Sequence, residues 1–206
     1  MSRRAIGIID YGAGNLTSVK QSLCSMNYRA RASNDRNVLD QADLLILPGV
    51  GAFPSAMHSL HAHGIADYLI EKAHNGTPIV GICLGMQLLA GCSYEIRKTL
   101  GLGLIPGEVI PLPKSSWHIG WNNIEILTQD IIFSGGDSRS MYFNHSHVVH
   151  TEKEYCMGIS RIDHTSEPFA VAIRRNNVVG LQFHPEKSQY AGRLLLASVI
   201  EGLCSA

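Results

Sequence analysis

The stretch "TPIVGICLGMQLLAG", residues 77–91, decides the fold, because in it a run of β-branched apolar residues gives way at one cysteine to a helical pattern. Ile79, Val80 and Ile82 belong to a short apolar run that reads as a strand buried on both faces. The helical pattern begins at Leu84. The joint is Gly81-x-Cys83-x-Gly85, the spacing of a nucleophile elbow, in which a strained strand-to-helix turn holds a nucleophile out at the carboxyl end of a sheet. The glycines remove Cβ atoms that would clash there. At a helix N-terminus, free N–H groups and the helix dipole favour thiolate over thiol, and the Leu84 N–H would face a developing oxyanion. The competing reading is a buried, inert cysteine, a common fate of this residue type. Cys24 and Cys204, at helical positions, and Cys156, in a strand candidate, take that reading.

Working outward, "AIGIID" (5–10) and "DLLILPG" (43–49) are further short apolar runs closed by Gly, Pro or Asp. Residues 15–27 and 53–75 show helical spacing, the second broken near Gly64. Alternating strands and helices argue for a parallel sheet with crossover helices. From about residue 104 the texture changes to short strand candidates separated by turn residues, with antiparallel pairs expected and some strands rejoining the main sheet. A last helix over 188–202 places Leu194, Leu195, Val199 and Leu203 near one face. The expectation is a single α/β domain over 1–206: three layers, a mixed and mainly parallel central sheet flanked by helices, and an additional antiparallel segment.

Composition narrows the class. The 206 residues are 45% hydrophobic and 17% charged, enough to bury a sizeable core. Lys+Arg and Asp+Glu are both 17, so there is no polyanion-binding balance and nucleic acid is a poor guess. No stretch approaches the roughly 18 apolar residues of a membrane span, and the apolar run ending at Asp10 is too short for a secretory signal. The five scattered cysteines have no CxxC spacing, so neither a disulfide framework nor a zinc site is indicated. A cytoplasmic protein without metal or cofactor is expected.

A thiol nucleophile needs a base, and "GLQFHPEKS" (180–188) supplies His184 and Glu186 at the end of an apolar run. Both side chains could leave the strand end on one side, the carboxylate orienting the imidazole toward Cys83. The three residues together raise a resemblance. "GICLGMQ" (81–87), "LPGVGAF" (47–53) and "QFHPEKS" (182–188) are similar to the class I, triad-type glutamine amidotransferases. "DYGAGN" (10–15), "GLGLIPGEV" (101–109) and "HIGWNNIE" (118–125) resemble, within that family, the glutaminase subunits of imidazole glycerol phosphate synthases. The match runs in order from about Ile6 to Gly192.

The resemblance implies a glutaminase. Cys83 would attack the side-chain amide of L-glutamine, His184 would act as general acid and base, and Glu186 would orient it. Leu84, Val50 and Gly51 would form the oxyanion hole. Gly49, Gln87, Glu95, His145, Ser146 and His147 would hold the substrate. Ammonia would pass to a (β/α)8 cyclase partner in a heterodimer of histidine biosynthesis, docked through Asn15, Trp121, Asn122, Tyr142 and Lys187. Without the family, Trp121 and Tyr142 would read as core aromatics and Lys187 as a solvated charge.

The chain also departs from the family pattern. His147 stands where tyrosine is usual after "HS", Trp117, His118 and Ile119 stand where Pro-His-Met is common, and "AGCSYEIRK" (90–98) is less acidic than usual. These leave open a glutaminase that feeds another acceptor, such as a surface-sugar amidotransfer enzyme. A cysteine hydrolase of peptides would share the elbow and triad but have no use for Gln87 or "GWN". His58, His61 and His63 form a tempting cluster, but His63 would leave the shared helix face and no carboxylate completes it. His145 and His147, at strand alternation, would share one side without His150. "DYGAGN" lacks the third glycine of a dinucleotide fingerprint.

Overall fold

The computed structural model describes residues 3–113, 117–128, 130, 133, 140–163 and 165–205. The first half alternates strand and helix: β1 Ala5–Ile9, α1 Leu16–Ser25, β2 Arg29–Ser33, α2 Arg36–Leu39, β3 Leu44–Gly49, α3 Phe53–Ala62, α4 Ile65–His74, β4 Ile79–Cys83 and α5 Leu84–Leu88. Short strands dominate the middle of the chain: β5 Cys92–Ser93, β6 Thr99–Leu100, β7 Glu108–Pro111, β8 His118–Asn123, β9 Glu125–Ile126, β10 Ser140–His145 and β11 His147–His150. The chain ends with β12 Cys156–Ser160, β13 Phe169–Arg175, β14 Val178–Leu181 and α6 Gln189–Ser205.

Among the described residues the main sheet has eight strands in the order β2-β1-β3-β4-β14-β13-β12-β9. The first five are parallel to one another, and β13, β12 and β9 extend the sheet antiparallel. Because β14 pairs parallel with β4, Leu181 opposite Ile82, residues just beyond the two strands emerge at the same edge although a hundred positions separate them. β3 lies on the other side of β4 with Gly49 opposite Cys83. Among the described residues two smaller sheets complete the fold: β10 with β8, antiparallel, and β11-β7-β5-β6, in which β5 and β7 run parallel and the other pairs antiparallel.

Strand alternation sorts side chains into two cores. Leu44 and Ile46 of β3, with Val80 and Ile82 of β4, pack on the face covered by α1 and α6; Leu45, Leu47 and Ile79 pack on the face covered by α3, α4 and α5. The result is three layers. At Gly64, φ is +63°, a left-handed conformation that separates α3 from α4 at the expected break. α6 departs from expectation in one detail. Its buried stripe is Leu195, Leu196, Val199, Ile200 and Leu203, and Leu194 is only half-buried, displaced from that face by the helical period. β2 and α2 carried little sequence signal, since β2 reads "RARAS" with only Ala30 buried at the sheet edge.

Glycines seat α5 against the sheet. A Cβ on Gly81 would lie 2.5 Å from the Gly85 carbonyl oxygen and one on Gly49 2.7 Å from the Gly85 nitrogen, while one on Gly85 would overlap the Leu47 carbonyl oxygen. These are backbone obstacles that no rotamer change relieves. Gly81→Ala is therefore expected to lower the melting temperature by roughly 2–12 °C, an overpacking cost of about 1–3 kcal/mol for a chain of this size. A thermal melt of the variant beside the parent protein checks it, and an unchanged melt would mean that α5 sits less tightly than described.

Candidate active site

Cys83 occupies the turn between β4 and α5 with φ 56° and ψ −114°, a backbone conformation that non-glycine residues seldom adopt and that stores strain. Its side chain is almost fully buried, with Sγ 3.8 Å from the Asn144 carbonyl oxygen. From the end of β14 comes His184, also buried, whose Nδ1 lies 2.9 Å from Glu186 Oε1. The backbone at His184 is clamped. Its N–H donates to the Tyr142 carbonyl (2.9 Å), and its own carbonyl accepts from the Ser188 hydroxyl (2.6 Å), which in turn accepts from the Tyr142 N–H (2.9 Å). Burial alone would drive the His184 imidazole neutral, but hydrogen-bond and charge interactions with Cys83 and Glu186 outweigh it and hold its pKa well above the usual histidine value. The ring is thus protonated at neutral pH. The arrangement is the Cys83 sulfur beside an imidazolium that a carboxylate steadies from behind.

A cavity of about 310 Å³ opens over this pair, at the small end of the about 300–1,000 Å³ typical of ligand pockets. Val50, Gly51, Leu84, Gln87, Glu95 and residues 144–147 line it. Gln87 is buried and spends its Nε2 hydrogens on the His147 carbonyl (2.9 Å) and Gln182 Oε1 (3.1 Å), so its oxygen is the polar atom left for the cavity. Glu95 Oε2 accepts from the Phe53 N–H at 2.7 Å, tying the loop after β5 to the start of α3. The end of β3 is held by the loop after β1: the Tyr11 hydroxyl donates to the Pro48 carbonyl at 3.0 Å, and a Cβ on Gly14 would meet the Pro48 ring at 3.2 Å. Burial pushes the Tyr11 phenol up, so it remains a donor. "DYGAGN", unassigned by the spacing of its glycines, is thus a brace for the 48–51 segment. Gly51, at φ +91°, takes a turn that suits glycine.

The resemblance grouped other residues that the structure separates. Trp121, Tyr142 and Lys187 do gather, Trp121 edge-on to Tyr142 with centroids 6.1 Å apart and Lys187 Nζ 5.8 Å above the Tyr142 ring. Trp121 is 50% exposed, so the reading of it as a plain core aromatic does not hold. Asn122, its neighbour on the strand, turns away toward the Arg161 carbonyl (2.7 Å) and His118 (3.2 Å). Asn15 caps α1, accepting from the Ser18 N–H at 3.3 Å. His145 and His147 do not share one side of a single strand, because the chain changes sheet at Ser146: His145 is buried against His118, whereas His147 meets the Ser146 hydroxyl at 3.0 Å. Trp117, marked in the sequence only as a departure from the family pattern, and Asn144, not marked at all, line the cavity and are joined by a 2.9 Å hydrogen bond from the indole N–H. No periodicity marks either residue.

Among the described residues no helix is long and apolar enough to cross a membrane. The family model for glutamine amidotransferase class-I matches residues 7–198. The imidazole glycerol phosphate synthase subunit HisH of Carboxydothermus hydrogenoformans is 39% identical over 199 residues, covering 95% of this chain and 98% of its own. The same subunit of Syntrophotalea carbinolica is 42% identical over 201 residues, with 93% and 97% covered. In shape, the chain is similar to a glutamine amidotransferase crystal structure (TM-score 0.77, 19% identity, 98% of this chain and 99% of that one). It is also similar to PurLQS from Thermotoga maritima (TM-score 0.76, 18% identity, 97% and 99%). With a model match along most of its length and relatives this similar from end to end, the chain belongs to the class-I glutamine amidotransferase family.

Proposed function

We propose that this chain is the glutaminase subunit of an imidazole glycerol phosphate synthase. The observation that carries the reading is the alignment of Cys83, His184 and Glu186 beneath a cavity of amino-acid size lined by Gln87, Glu95 and the turn of His145, Ser146 and His147. Support for the synthase comes from relatives near 40% identity that are subunits of that enzyme. Such relatives favour that acceptor over surface-sugar amidotransfer and over peptide hydrolysis.

In the proposed reaction the Cys83 thiolate attacks the side-chain carbonyl carbon of L-glutamine, and the oxygen takes the charge. The Leu84 N–H and an N–H from the Val50–Gly51 segment stabilise that oxyanion. His184, already protonated, gives its proton to the leaving nitrogen, the C–N bond breaks, and ammonia departs from a glutamyl thioester. The now neutral imidazole takes a proton from water. The resulting hydroxide attacks the thioester, and glutamate leaves as the thiolate and imidazolium are restored. Gly49 and the Gln87 oxygen hold the substrate, while Glu95, anchored on α3, fixes the wall beside the oxyanion segment. Ammonia passes to a (β/α)8 cyclase docked on the face that carries Trp121, Tyr142 and Lys187, of which Lys187 lines the cavity, with Asn15 and Asn122 kept as further contacts on the resemblance alone. Docking, with nucleotide substrate on the cyclase, reorients the Gly49–Val50 peptide and completes the oxyanion hole.

Four outcomes are expected. Cys83→Ala abolishes release of ammonia from glutamine. Glu186→Gln lowers kcat by about 10²-fold or more with little change in KM. Because Glu186 holds the imidazole pKa up, the same variant loses the His184 proton at lower pH, which an NMR titration of the ring resonances reads directly. An unmoved titration would mean that Glu186 does not govern the ring. Finally, co-expression with the cyclase and addition of its ligand raises glutaminase turnover by about 10²- to 10³-fold, the worth of one oxyanion donor. Full turnover by the isolated chain would contradict the docking switch.

A further inference from the structure

We propose that Asn122, His118 and His145 form a directed chain of hydrogen bonds that positions the glutamine-binding turn and, through it, Gln87; the proposal rests on the glutaminase reading above. The atoms fix its direction from both ends. Asn122 Nδ2 lies 2.7 Å from the Arg161 carbonyl, an acceptor only, so the amide nitrogen is the atom that faces His118 Nε2 at 3.2 Å and donates to it. His118 therefore carries its hydrogen on Nδ1 and donates to His145 Nε2 at 3.0 Å. His145 then carries its hydrogen on Nδ1 and donates to the His147 carbonyl at 2.9 Å, again an acceptor only. That same carbonyl accepts from Gln87 Nε2. Every donor meets an acceptor with each ring bearing one hydrogen.

The surroundings suit this state. His118 stacks on Phe143 with centroids 4.6 Å apart and meets Phe169 edge-on at 5.6 Å. Burial pushes both imidazoles down, His145 to about 4, where the His184 charge also opposes a second proton. Neutral rings keep the direction of the chain single. The outer end is half-buried, beside a surface cleft of about 350 Å³ lined by Asn122, Glu125 and Arg161, so the series runs from the surface to the substrate wall. None of its three side chains needs to touch the reacting atoms. They are positioning residues, acting on the carbonyl that holds Gln87.

The test uses the full chain and alkylation of Cys83 by the chloroketone analogue of L-glutamine, in which sulfur displaces chloride. His118→Phe keeps an aromatic ring on Phe143 and removes the relay; His118→Gln loses the ring but its amide can accept from Asn122 and donate to His145. The relay predicts that the half-saturating concentration of the analogue rises by about 3- to 10-fold in H118F and less in H118Q. The limiting alkylation rate, and the rate with iodoacetamide, stay unchanged. Asn122→Ala, at a half-buried position that leaves the melting temperature near the parent's, raises the half-saturation in the same direction. A packing role alone would reverse the order of H118F and H118Q, and that order, or an unchanged half-saturation in N122A, overturns the proposal. If the unmodified chain is not alkylated saturably at Cys83, the glutaminase reading falls instead.

Discussion

The parallel pairing of β14 with β4 is the constraint on which the rest depends. It is an insertion in chain order: the strand next to β4 in the sheet, β14, comes from late in the sequence, after strands β5 to β13. Parallel pairing carries both strands to their carboxyl ends at one edge, which is where ligands collect in open α/β sheets. With Leu181 opposite Ile82 and Gly49 opposite Cys83, three strand ends present the thiol, the imidazole and the 48–51 segment to a single cavity. A one-residue slip of β14 would turn its inward side chains outward and carry His184 from the thiol.

Around that edge the protein keeps two populations of histidine in opposite states. His184 is buried, yet a carboxylate and a sulfur on either side favour its charged form. His118 and His145 are equally hidden, but their neighbours are aromatic rings, an amide and carbonyl oxygens, and they are held neutral. Desolvation acts on all three. What differs is whether a negative partner offsets it, and this lets one cluster of imidazoles supply both a proton donor and a fixed hydrogen-bond chain.

Close backbone approach is the second organising device. Gly49, Gly81 and Gly85 let α5 sit almost in contact with β3 and β4, which forces the strained turn at Cys83 and keeps the thiol at the cavity floor. Tyr11 and Gly14, from the loop after β1, also contact Pro48. The 48–51 segment is thus braced before Gly51 and open at it, where a Cβ would meet nothing within 4 Å.

The elbow was legible because its physics is local: β-branched residues, glycines at close intervals around the cysteine and an immediate helical pattern all lie within residues 77–91. The break at Gly64 and the strands of alternating cores were legible for the same reason. The direction of Asn122, the split of His145 from His147 at Ser146, and the indole of Trp117 bonded to Asn144 were not, since each depends on which strand lies alongside. β2 and α2 were faint because edge elements bury little and so leave weak apolar periodicity. By itself the sequence determined the elements and the identity of the reactive groups, through short-range sterics and hydrophobic spacing. Only the tertiary structure decided which groups meet, because strand order and register are settled by long-range pairing that no local pattern encodes.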